Sequence, residues 1–122
     1  MSQRAQRGNN LLFMTEPAGQ TIEAGKTVVV TEMEAGGIHV QPFYTIRVVA
    51  GNRIVSEGPV TLKLITKIDQ VNFLVLDILI LDPGEQLTRT YHAPGLDLVM
   101  KAEVPEDSGV NAIDVAVFGF KF

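Results

Sequence analysis

Pro59-Val60-Thr61-Leu62-Lys63-Leu64-Ile65-Thr66-Lys67-Ile68 sets Val60, Leu62, Leu64, Thr66 and Ile68 on one side of an extended chain and Thr61, Lys63, Ile65 and Lys67 on the other. A period of two is the signature of a β-strand with one face on a core. The same alternation recurs on either side. Tyr44, Ile46, Val48 and Ala50 alternate with Thr45, Arg47 and Val49. Leu96, Leu98, Met100, Ala102 and Val104 alternate with Asp97, Lys101 and Glu103, and only Val99 interrupts the polar side. Val, Ile and Thr together make 33 of 122 residues, and side chains branched at Cβ are stiff at χ1 in the way a pleated sheet accommodates best.

Between these runs the chain is punctuated at short intervals. Glu34-Ala35-Gly36-Gly37, Gly51-Asn52, Glu57-Gly58-Pro59, Asp69-Gln70, Asp82-Pro83-Gly84-Glu85, Ala93-Pro94-Gly95 and Glu106-Asp107-Ser108-Gly109 each carry a turn former with a mechanism. Proline presets φ, glycine supplies positive φ, and Asp or Asn bonds its own backbone. Asp82-Pro83-Gly84-Glu85 has the form of a type II turn, with proline second and glycine third. Short strands at this spacing, with no helical period between them, predict an all-β domain: a two-sheet antiparallel sandwich or jelly roll of eight or nine strands. A chain of 122 residues holds one such domain.

Two segments break the alternation. Val71-Asn72-Phe73-Leu74-Val75-Leu76-Asp77-Ile78-Leu79-Ile80-Leu81 and Asn111-Ala112-Ile113-Asp114-Val115-Ala116-Val117-Phe118-Gly119-Phe120-Lys121-Phe122 are apolar on both faces. A sheet in a sandwich normally leaves one face in water, so the second apolar face needs a cover. The cover is the arm, a loop lying over a central strand, or another protomer at a subunit interface. Phe118, Phe120 and Phe122 at the end of the chain favour the interface, because terminal residues fray unless held.

The first ten residues are polar, carry Arg4 and Arg7 and contain no acid, whereas the whole chain has a net charge of -4. They read as an arm opposite in sign to the body. Leu11, Leu12, Phe13 and Met14 follow, set off from the rest by Glu16-Pro17-Ala18-Gly19 and Ala24-Gly25. The expected organisation is an arm over residues 1–25, exchanged between protomers, and a sandwich over 26–122. The four-residue apolar run is shorter than a Sec signal needs, and no stretch approaches a membrane span.

Composition excludes much chemistry. Cysteine is absent, which removes disulfides, thiolate metal sites and cysteine nucleophiles together. Ten Lys and Arg against fourteen Asp and Glu argue against nucleic acid as a partner. No glycine-rich phosphate loop is present. His39 and His92 stand in no metal-binding or catalytic spacing. Asp77 and Asp114 interrupt apolar strands. They are either an acid/base pair of the kind that cleaves glycosides, or carboxylates that face solvent, pair with Arg47, Arg89 or Lys63, or guard a strand edge. Tryptophan is absent and Tyr44 and Tyr91 are the only tyrosines, so no sugar platform accompanies them and the second assignment is preferred. Glu106-Asp107-Ser108-Gly109 offers oxygens to Ca²⁺ but lacks the Asp-x-Asp-x-Asp-Gly loop.

The stretch Leu81-Asp82-Pro83-Gly84-Glu85-Gln86-Leu87-Thr88-Arg89-Thr90-Tyr91, followed by Leu96-Asp97-Leu98-Val99-Met100 and the terminal strand from Ile113 to Phe122, resembles the closing half of small jelly-roll subunits that build bacterial surface fibres such as endospore appendages. The resemblance covers about the last third of the chain. Such subunits carry N-terminal connectors with cysteines that lock neighbours covalently. This chain has an N-terminal segment and no cysteine, so the assembly implied is noncovalent. A virion surface or decoration protein fits the same description. The expectation is a non-enzymatic structural subunit that self-assembles into a filament or shell, on a cell or spore surface or a virion, with Leu11, Leu12, Phe13, Met14, Phe118, Phe120 and Phe122 at its interface. Its partner is a second copy of itself, and no cofactor or metal is called for. The competing class is a ligand-binding β-sandwich such as a carbohydrate-binding module.

Overall fold

A computed structural model describes residues 10–31, 37–69 and 71–121. Residues 1–9 of the arm, Phe122 and most of the turn at 34–37 lie outside the described residues. Those described form ten strand segments and no helix: β1 (Asn10–Met14), β2 (Gln20–Ile22), β3 (Thr27–Val29), β4 (Ile38–His39), β5 (Thr45–Asn52), β6 (Val60–Lys67), β7 (Phe73–Leu81), β8 (Gln86–His92), β9 (Asp97–Glu103) and β10 (Asn111–Phe120).

The segments fill eight positions in two antiparallel sheets. In the first sheet the order is β1, β10, β5, β8, with β2 also on β10. In the second it is β3, β9, β6, β7, with β4 also on β9. β1 and β2 act as one broken edge strand. Met14 pairs with Ala116 and Gln20 with Ile113. Between them the Thr15 N–H donates to Val115 O at 3.0 Å and the Val115 N–H donates to Thr15 Oγ1 at 3.1 Å. The Glu16-Pro17-Ala18-Gly19 break is a loop in that strand, closed by the Gly19 N–H on Glu16 O at 2.7 Å. With β10 inserted between β1 and β5, and β9 between β3 and β6, each sheet mixes early and late strands. This is the jelly-roll arrangement.

The alternation supplies the core. β6 is buried at Val60, Leu62, Leu64 and Thr66, β5 at Ile46, Val48, Ala50 and Asn52, and β9 at Leu98, Met100 and Ala102. Each fully buried aliphatic side chain contributes about 1.5–3 kcal/mol. The Asp82 turn forms as expected: Gly84 has φ +85° and the Glu85 N–H donates to Asp82 O at 2.8 Å.

The two doubly apolar strands have different explanations. β10 is central, flanked by β1, β2 and β5. Asn111, Ile113, Val115, Val117 and Gly119 are buried on its inner side, and Ala112, Asp114, Ala116, Phe118 and Phe120 are half-buried on its outer side. Gly119 lets the Phe43 ring lie where a Cβ would stand, 2.7 Å from Cδ1. β7, by contrast, is the outermost strand of its sheet, so a central strand under a loop is not what Val71 to Leu81 forms. Its register slips between Leu64/Asp77 and Ile65/Val75, leaving Leu76 without an opposite residue. Such a bulge moves the later side chains to the other face. Phe73 and Val75 before it, and Ile78 and Ile80 after it, consequently share the outer face, while Leu79 and Leu81 turn inward.

Candidate functional site

The predicted interface residues divide at β1. Leu11 stands opposite Phe118 and Met14 opposite Ala116, on the outer face of the first sheet. Leu11 and Met14 are 52% and 61% exposed. A register irregularity between Leu11 and Phe13 lets Leu12 and Phe13 pack against the chain's own core. Phe118 and Phe120 are half-buried beside Leu11 and Thr45, with the Arg47 guanidinium 5.1 Å from the centroid of the Phe120 ring. The outer face thus presents Leu11, Met14, Ala116, Phe118 and Phe120 as a connected apolar strip.

The same face holds a depression of about 590 Å³. Small residues on adjacent strands, Gly51 and Ala116, form its floor with Val49, and Met14, Pro17 and Ile54 stand around it. Among its lining residues there is no aromatic ring. Asp114 lies here, and its partner is Arg53, not Arg47, Arg89 or Lys63. Arg53 Nε donates to Oδ2 and Nη2 to Oδ1, both at 2.8 Å, and Nη2 also donates to Pro17 O at 2.8 Å. The pairing arises because Asp114 opposes Gly51 in the β5–β10 ladder, which sets the turn residue Arg53 beside it. The hydrogen bonds from Arg53 hold the Asp114 carboxyl below the usual carboxylate range, with the guanidinium charge acting in the same sense. Asp114 is therefore an ionised strut between β10, the β5 turn and the loop at Pro17.

Asp77 is in the other sheet and faces inward. Its Oδ2 accepts the Tyr91 hydroxyl at 2.7 Å and its Oδ1 accepts the Ile78 N–H at 2.8 Å. Burial and then the Asp77 hydrogen bond push the Tyr91 phenol well above its ordinary value. The contact ties β7 to β8 across the two layers at the open side of the sandwich. Asp77 and Asp114 stand in different sheets, one facing in and one facing out, so they do not form an acid/base pair across a cleft. The histidines are likewise separate: His39 Nδ1 lies 3.2 Å from Asp97 Oδ1 and His92 Nδ1 3.0 Å from Thr45 Oγ1.

At the other sites the sequence singled out, Glu106 packs against Gly25 and Glu57 Oε1 accepts the Val110 N–H at 3.0 Å. Among the described residues no three His, Cys, Asp or Glu side chains converge in a way that holds a metal ion. No helix among them is long and apolar enough to cross a membrane.

A second apolar surface lies on β7. Phe73, Leu74 and Val75 are consecutive, alternate between the two faces, and are 51%, 57% and 54% exposed, so neither face of this part of the strand is covered. Ile78 and Ile80 continue the outer row at 50% and 61%. Apolarity on both faces announced this surface in the sequence. Its place at a sheet edge, and the partners Arg53 and Tyr91, had no local signal because sheet topology creates them.

No family model matches the sequence, and no curated protein matches it. Solved structures match in fold. PRD1 vertex protein P5 superposes with a TM-score of 0.56 at 11% identity, over 93% of this chain and 98% of that one. A subunit from Bacillus endospore appendages, described as disulfide-linked pili, gives a TM-score of 0.46 at 10% identity, over 93% and 90%. The coat protein of Tobacco streak virus gives 0.46 at 9% identity, over 93% and 88%. At these identities the likeness concerns the jelly-roll sandwich itself.

Proposed function

We propose that this chain is a non-enzymatic structural subunit that assembles with copies of itself into a filament or shell, at a virion or a cell or spore surface. One observation carries the reading: the sandwich fills its own core and still leaves apolar side chains in water on the outer side of both sheets. Leu11 and Met14 with Phe118 and Phe120 occupy one, and Phe73, Val75, Ile78 and Ile80 the other. Contiguous exposed apolar patches of this kind mark association surfaces. The vertex-protein likeness is compatible with a virion component.

In this reading residues 1–25 form an arm exchanged between protomers. β1 lies along β10 in a single chain, and the same antiparallel seat accepts the β1 of a neighbour. Strand exchange reuses identical hydrogen bonds and therefore costs little. Contacts between unlike surfaces close into rings or run on as fibres. The depression on the first sheet has no aromatic lining, which sets it apart from a sugar platform, and a second hollow, of about 440 Å³, is lined by Phe43 and Tyr44 with Pro42 and Pro94. The test is sedimentation of the purified protein at micromolar concentration with negative-stain microscopy. Regular rings, shells or fibres support the subunit reading, and a uniform monomer overturns it.

A further inference from the structure

We infer that the free end of the β6–β7 hairpin seats in the first-sheet depression of a second copy of this chain. The inference rests on the subunit reading and adds to it a specific contact. Phe73, Leu74 and Val75 project from both faces of an edge strand, and Val71 at the hairpin tip is 76% exposed. Val71 and Asn72 are held to Asp69, whose Oδ1 accepts their N–H groups and whose Oδ2 accepts the Asn72 amide, all at 2.8 Å. A held apolar projection is a knob. The depression of about 590 Å³ has an apolar floor of Gly51, Ala116 and Val49 with Met14 and Ile54 at its sides, and carries Glu16 and the Arg53–Asp114 pair in its wall, so it is the hole. Knob and hole belong to different sheets, and the hole is on the outer face of its sheet, so they meet only between molecules. Such a contact joins unlike surfaces and propagates.

Charge favours a second copy as the occupant. Lys67 Nζ stands 6.0 Å from the centroid of the Phe73 ring. Among the described residues the direct ion pairs are His39–Asp97, Arg53–Asp114 and Lys63–Glu103, so neither Lys67 beside the knob, whose charge acts on nearby Asp69, nor Glu16 in the lining of the hole is held in one. Docking sets the one against the other. The alternative, pairing of β7 with another β7 along its edge, is opposed within the strand. The Leu76 bulge interrupts the ladder, and Asp77 holds the Ile78 N–H and places a carboxylate in the middle of the run. Bulges and inward-pointing charges are the devices that keep edges from pairing. Side chains, not backbone, are left to make the contact.

The test is a charge swap read by sedimentation over a concentration series, with circular dichroism to confirm the fold. Lys67→Glu and Glu16→Lys are each expected to raise the concentration for half-assembly about tenfold, as a rim ion pair turned into a repulsion does. Either the double variant in one chain, or an equal mixture of the two single variants, is expected to return it to within about twofold of the original. Phe73→Ser with Val75→Ser is expected to weaken assembly without rescue by either charge change. Assembly unaltered in all single variants, or losses that the double variant does not repair, overturns the contact and leaves the subunit reading in place. A wild-type chain that stays monomeric overturns both.

Discussion

Removing residues 1–15 deletes β1 and separates a strand that completes its own sheet from one that completes a neighbour's. The loss can be worked from the structure. Leu12 and Phe13 are partly buried against the core, so roughly half of the 1.5–3 kcal/mol for full burial applies to each, about 2 kcal/mol together. The two hydrogen bonds exchanged between Thr15 and Val115 add about 0.5–1.5 kcal/mol apiece. If the strand acts within its own chain, about 3–5 kcal/mol of a total near 5–15 kcal/mol disappears. At about 4 °C per kcal/mol for a domain of this size, the melting temperature falls by about 10–20 °C at every protein concentration. If the strand is exchanged, the truncated chain melts as the dissociated full-length chain does, and only the concentration-dependent part of the stability is lost. Calorimetry of both proteins across a hundredfold concentration range, with sedimentation alongside, distinguishes the outcomes. Unchanged melting together with unchanged oligomer size after truncation would refute the reasoning altogether, since residues 10–15 would then contribute neither packing nor assembly.

Phe120→Asp sets a carboxylate on the outer side of β10 next to Arg47 and leaves the inner row of Ile113, Val115 and Val117 intact. Smaller species with an unchanged circular dichroism spectrum are expected, and the same oligomer size as wild type counts against this face as an interface. Asp114→Asn reports on the strut to Arg53. Because the folded carboxyl titrates below its unfolded value, its contribution is present above about pH 4 and fades as the pH falls through the lower, folded value. The stability gap between wild type and variant is expected to be flat near neutrality and to close in acid. A gap that instead widens in acid contradicts the assignment. The pair is partly exposed, and solvent screening keeps the gap small.

Much of the fold was legible because a half-buried strand carries its environment in its own alternation. Ile46-Val48-Ala50, Leu62-Leu64 and Leu98-Met100-Ala102 are buried as their spacing requires, and Asp82-Pro83-Gly84-Glu85 turns as its residues require. What alternation does not encode is which strand lies at an edge. Val71 to Leu81 and Asn111 to Phe122 look alike as sequences, yet β10 is central and β7 outermost, because that choice depends on the order in which distant segments pair. The same dependence hid the partners of both carboxylates. Arg53 is 61 residues from Asp114 and arrives through the β5–β10 register, and Tyr91 reaches Asp77 across the two layers. Of the expected interface, Leu11 and Met14 are exposed while Leu12 and Phe13 turn to the core, since an irregularity at Leu11/Phe13 interrupts the two-residue period. Asp77 shows how such hidden placement bears on the proposed assembly. A carboxylate inside an apolar strand looks like a candidate acid until the strand is seen to be an exposed edge. There, with one oxygen on Ile78 N–H and the other on Tyr91, it disfavours pairing along the edge, and in the proposed assembly the projecting side chains of β7 are the part that meets a partner.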